Sequence, residues 1–148
     1  MVKEALIEIF ARDLRKLKEE LNLYADEKTI WVVKDGITNS AGNLCLHLTG
    51  NLHHFIGAIL GKNGYVRDRD AEFSLKNIPR EELLKDIDAA IQVITSTLNH
   101  LQDEDLTKDF PIEKQGKIET TAHMLIHLLG HLSYHLGQIN YHRRLIEN

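Results

Sequence analysis

Four histidines, His123, His127, His131 and His135, recur at every fourth position in the C-terminal part of this 148-residue chain. A helix places residues at that spacing on one side of its surface, neighbours about 5 to 6 Å apart, and imidazole is the commonest protein metal ligand. The same stretch carries Thr121, Leu125, Leu128, Leu132, His135, Ile139, His142 and Ile146 at an alternating four-and-three spacing. His135 therefore falls in line with residues expected to face a core, as a buried imidazole that needs a partner. With about 100° of rotation per residue, each step back along the ladder turns about 40° away from that stripe. His131 then sits at its margin, while His127 and His123 turn outward as surface or rim residues. The geometry favours His131 and His135 as a ligand pair. His142 continues the core line and reads as hydrogen-bonded core.

A metal site needs more than two ligands, and an earlier helical stretch supplies candidates. His47 and His54 are seven residues apart and share a face, but about 10 Å of helix rise separates them, so only one can join a given metal. The wheel does not choose between them. His53 points roughly opposite and is expected to be solvated. Three neutral imidazoles leave a coordination position for water or substrate, the pattern of catalytic rather than structural zinc. Imidazole also suits nickel and iron, so the ligand type specifies only a divalent transition metal. Asn51 and Gln138 are candidates for orienting ligand imidazoles through their outer nitrogens. Within the run Arg67, Asp68, Arg69, Asp70, a guanidinium near the metal could hold a substrate carboxylate in bidentate fashion.

The elements that must position these residues are helical. Leu6, Phe10, Leu14, Leu17 and Leu21 mark a first helix over residues 3 to 22. Residues 26 to 39 read as an extended connector with some strand character around Trp31, Val32 and Val33. Asn39 or Ser40 can cap a second helix running to about Leu60. Pro79 and the acidic residues after it open a third, with Leu84, Ile87, Ile91, Ile94, Leu98 and Leu101 as its core line. A polar loop, residues 102 to 117, leads to the fourth, from about Glu119 to Ile146. The fold class is all-α, a four-helix bundle forming one domain over residues 1–148. The eighteen residues from 61 to 78 are long for a turn between antiparallel neighbours and permit a crossover. Gly50, Gly57, Gly130 and Gly137 are expected where helices approach closely. Ile126, Leu129, Leu136 and Leu145 lie off the main stripe of the last helix, which points to a homodimer.

Composition narrows the function classes. A net charge of −4 with interspersed signs gives no basic face for nucleic acid. No run of about 18 apolar residues is present to cross a membrane, and the amphipathic start MVKEALIEIFARDLRKLKEE is unlike a signal peptide, so the chain reads as cytoplasmic. One cysteine, Cys45, excludes an internal disulfide or a cysteine-rich zinc site and reads as a small buried hydrophobe.

The stretches NSAGNLCLHLTGNL (residues 39–52), YVRDRDAEF (65–73) and HLSYHLGQINYHRR (131–144) resemble the DinB/YfiT-like superfamily of metal-binding four-helix bundles. The resemblance spans nearly the whole chain. It implies an up-down-down-up arrangement, and a divalent metal held by one histidine of the second helix and a His-xxx-His pair of the fourth. That pattern falls on His47, His131 and His135. Characterised members include transferases that use a low-molecular-weight thiol. The expected function is then a metal-dependent thiol S-transferase or hydrolase acting on a small molecule, the metal lowering the pKa of a bound thiol or water. No H-E-x-x-H arrangement supplies a general base, which favours thiol transfer. The alternative is a non-catalytic, metal-stabilised bundle serving as a binding or stress-response module.

Overall fold

Leu6, Phe10, Leu14, Leu17 and Leu21 form the buried stripe of α1 (Val2–Leu23) in the computed structural model, which describes residues 1–148. Helix α2 (Ala41–Leu52) starts at Ser40, whose side chain accepts from the Asn43 N–H, and runs on as a π-helical segment, His53–Leu60. The wide turn closes where the Gly61 N–H donates to the Ile56 carbonyl, 2.8 Å away. A short helix, α3 (Arg69–Ser74), lies inside the long connection. Helix α4 (Arg80–His100) follows Pro79, and α5 (Thr121–Ile146) follows Thr120, whose hydroxyl accepts from the His123 N–H. No helix is long and apolar enough to cross a membrane.

Cross-links between helices fix their directions. The Lys3 ammonium donates to the Leu101 carbonyl, Lys18 pairs with Asp88, and Arg80 reaches the Tyr24 carbonyl, so α1 and α4 are antiparallel. Asp13 accepts from Ser133, Glu20 from Asn140 and Arg143, so α1 and α5 run the same way. His53 meets Asp86 while Gly57 lies against Val93, which makes α2 and α4 parallel. Each of α1 and α2 therefore packs on both α4 and α5. The connection of residues 61–78 joins two parallel neighbours, which is why it is long. One apolar core of 28 buried residues unites the elements.

Four expectations differ from what folds. Residues 26–39 contain a 3-10 turn, Glu27–Trp31, rather than strand, because Ile30 and Trp31 tuck into the core. The buried seam of α4 is Leu83, Ile87, Ala90, Ile94 and Leu98. Leu84, Ile91 and Leu101 are only partly buried on its flank, since α4 has to serve both α1 and α2. Gly50 and Gly57 do lie against close neighbours, but a Cβ at Gly130 or Gly137 would meet nothing, because both sit on the outer face of α5. The loop before α5 is not featureless: it holds a 3-10 turn, Asp103–Thr107, and buries Leu106 and Phe110.

The core predicts a contrast between two truncations. Leu48 is fully buried at the middle of α2, whereas Val66 is 87% exposed. Leu48→Ala should lower the free energy of unfolding by about 2–5 kcal/mol, and Val66→Ala should change it by no more than about 0.5 kcal/mol, both read from urea denaturation followed by circular dichroism.

Candidate metal centre

Antiparallel packing of α2 against α5 brings His47 opposite two successive turns of the histidine ladder. One nitrogen from each of His47, His131 and His135 lies within 4.8 Å of the others. The Nε2 atoms of His47 and His131 are 3.0 Å apart. Ring nitrogens at about 2.0–2.1 Å from a tetrahedral zinc stand roughly 3.3 Å from one another, so this spacing is close to one edge of a metal tetrahedron. The ring centroids of the three imidazoles are 4.6 to 5.4 Å apart, each pair edge to face.

The outer nitrogens of two of these imidazoles are fixed. His47 Nδ1–H donates to Glu72 Oε1 at 3.0 Å, and His135 Nδ1–H donates to Gln138 Oε1 at 2.6 Å. With their protons held there, both rings turn a lone pair inward from Nε2. A proton on His131 Nε2 can satisfy one of them but not both, and His131 Nδ1 is itself buried without a partner. Three converging imidazoles that share at most one inward proton are a donor set that a cation completes, and the residues fit a divalent metal.

Glu72 was not among the residues singled out by type and spacing, although it lies within the quoted stretch YVRDRDAEF. It is buried on α3 and accepts from Arg67 twice, Nε to Oε2 at 2.8 Å and Nη2 to Oε1 at 2.9 Å. Burial acts to raise its pKa, but the hydrogen bonds from His47 and Arg67 outweigh that and hold it below the ordinary carboxylate range. Space for it comes from Gly50, where any Cβ would collide with the Glu72 carboxyl group. Arg67 thus spends its bidentate fork on the protein's own carboxylate rather than on a ligand. Arg69 sits over the Phe73 ring, 5.3 Å from its centroid, and Phe73 in turn packs against His47.

Other histidines fall elsewhere. His54 packs edge-on to Phe55, outside the cluster. His53 is buried, not solvated: its face of α2 is covered by α4, where Nε2 meets Asp86 Oδ1 at 3.1 Å, and by Tyr65, which stacks on the ring. His123 and His127 are exposed, the first beside Glu119 and the second beside Lys114. His142 is core, accepting from the Tyr24 hydroxyl at Nδ1 and donating from Nε2 to the Val32 carbonyl. His135 is only half-buried, because Leu136 takes the core position beside it. The Asn51 amide is buried, makes no hydrogen bond to a ligand imidazole and leaves its oxygen without a partner. Cys45 is fully buried, its thiol pushed up by burial.

A family model described as a protein of unknown function, DUF1572, matches residues 3–148. The chain belongs to the DUF1572 family. No curated protein matches it.

The cluster should make the fold of this DUF1572 protein acid-sensitive. Burial, then the neighbouring imidazoles of His135 and His47, push the His131 pKa down to about 3, from an unfolded value of about 6.5. Between those values the unfolded chain binds a proton that the folded one refuses, so the contribution of His131 to stability is complete above about pH 6.5 and is lost as pH falls toward about 3. Glu72 and Asp86, both held below their ordinary values, add the same sign at lower pH. The urea midpoint of metal-free protein should fall between pH 7 and 5, and His131→Gln should flatten that slope. Equal slopes in the two proteins would remove His131 as the source.

Proposed function

We propose that this DUF1572 protein is a divalent-metal-dependent enzyme of the DinB/YfiT-like kind, and that it transfers a small thiol to an electrophilic substrate. The observation that carries the reading is the convergence of three imidazoles of which two, His131 and His135, are partly exposed. A structural site would close its fourth position with a further side chain, and here the donor set stops at three. Beside His135 lies a cleft of about 370 Å³, walled by Thr38, Asn39, Tyr134, Gln138 and Tyr141, which offers room for a small molecule.

The roles divide by position. His47, His131 and His135 would hold the cation. Glu72 and Gln138 orient two of these rings from outside, and Arg67 keeps Glu72 ionised. A divalent cation supplies Lewis acidity, which lowers the pKa of a thiol or water bound beside it. Glu72 is the one carboxylate hydrogen-bonded to any of the three imidazoles, and its oxygens are committed to Arg67 and His47. It is therefore not free to take a proton from water, as a hydrolase would require. Thiol transfer, in which the thiol has already released its proton to solvent, fits such a site better.

A homodimer forms part of the same reading. Of the apolar residues off the main stripe of α5, Leu136 is buried and Leu129 packs against the core. Ile126 and Leu145 are more than half exposed on its outer face together with Tyr134 and Tyr141, and Gly130 and Gly137 between them face open space. An apolar stripe with room for close backbone approach suits a second copy of the chain. Sedimentation of a single species at monomer mass would remove this part.

Elemental analysis and calorimetry test the metal. His131→Ala or His135→Ala should abolish stoichiometric zinc binding, while His54→Ala and His123→Ala should retain it. Glu72→Gln should weaken affinity about 10- to 100-fold, the usual effect of losing an orienting partner. Metal-free protein should keep its helical circular dichroism and a cooperative melt, and cobalt-substituted protein should change its visible spectrum when a small thiol is added. An unfolded metal-free chain, or a cobalt spectrum indifferent to small ligands, would instead mark a metal-stabilised binding module.

A further inference from the structure

The loop before α5 ends in a two-residue hairpin. Lys114 and Lys117 exchange both backbone hydrogen bonds, and Gln115 and Gly116 occupy the left-handed region at φ 53° and 77°. That pairing of positive φ values is the turn matched to strand twist. Its ammonium lies 4.8 Å over the Phe55 ring of α2 and donates to His127 Nε2 of α5 at 3.0 Å. It thus bridges the same α2–α5 gap that holds the histidine cluster. His127 precedes His131 by one helical turn, about 6 Å of rise.

Lys114 differs from its neighbours in the loop. Lys108 pairs with Asp105 at 2.7 Å and Lys117 with Glu119 at 3.0 Å. Lys114 is partly buried yet meets no carboxylate, only a neutral imidazole and an aromatic face. Removing an ammonium from water without an anion is costly. The nearby Arg67 is already neutralised by Glu72. Burial, and then the charge of Arg67, lower the Lys114 pKa. A partly exposed cation near the histidine cluster, with no counter-ion of its own, is free to pair with a negative charge that a ligand brings.

We propose that the small thiol bound at the three-histidine cluster carries a carboxylate, and that Lys114 binds it while the sulfur lies at the cluster. This assignment rests on the metal-dependent reading above, and it moves the role of carboxylate anchor from Arg67 and Arg69 to Lys114.

Two simple thiols test it. In cobalt-substituted protein, 3-mercaptopropionate should bind more tightly than neutral 2-mercaptoethanol by about tenfold, the scale of one charge-assisted hydrogen bond. Lys114→Gln should erase that preference and Lys114→Arg should keep most of it. Equal affinities in the unaltered protein, or a preference that survives Lys114→Gln, overturn the proposal while the metal reading stands on the spectral response itself. A cobalt spectrum silent to both thiols overturns the metal reading instead. Metal-free protein then judges Lys114 alone: Lys114→Gln should leave the urea midpoint unchanged or raise it, because an unpaired cation is relieved. A fall in the midpoint would make Lys114 a structural contact and end the proposal.

Discussion

A carboxylate can stay ionised inside a helical bundle only if donors surround it, and the placement of the site follows from how Glu72 meets that demand. Arg67 and His47 supply three hydrogen bonds between them, and Gly50 leaves the space the carboxyl group occupies. The Asn43 amide also holds the backbone of this segment, donating to the Glu72 and Leu75 carbonyls. The connection between α2 and α4 is thereby pinned across the first half of α2 rather than left to run free. His47 then has one available orientation, with Nε2 turned toward α5.

The two faces of α2 show how environment divides similar residues. His47 and His53 are both buried and both meet a carboxylate. Glu72 lies almost wholly inside, whereas Asp86 is 42% exposed at its side chain. His47 has its other nitrogen facing two more imidazoles, while the ring of His53 is covered by Tyr65. One pair is built to present a lone pair inward. The other joins α2 to α4 beside the π-helical turn.

Much of the helical frame was legible in the sequence because apolar residues at helical spacing fix a buried stripe regardless of partners, as in α1. The His131 and His135 pair was legible for the same reason: both lie on one helix, where spacing is geometry. His47 could not be separated from His54 by periodicity, since the choice depends on how far α2 slides along α5. Resemblance to a known pattern of ligands supplied that choice. Glu72, Lys114 and the burial of His53 were illegible because each depends on a covering segment from elsewhere in the chain. The Gly50 position hinted at a close approach, and a glycine inside a helix does not name what approaches it. The burial of His135 was overread because the wheel treats the stripe as uniformly covered, whereas α5 opens to a cleft at that level.

His47 and His131 are separated by 84 positions in the chain. During synthesis the second helix, its carboxylate partner and Arg67 all emerge well before the ladder of α5, and until then a lone imidazole faces the place where three will meet. No partly made chain can therefore capture a metal in the mature geometry. An ion held there would tie together two distant points of the sequence and stabilise the folded state over the open chain. Occupancy would then oppose the separation of α5 from α2, so that the last helix to arrive is clasped to the one whose histidine waited for it.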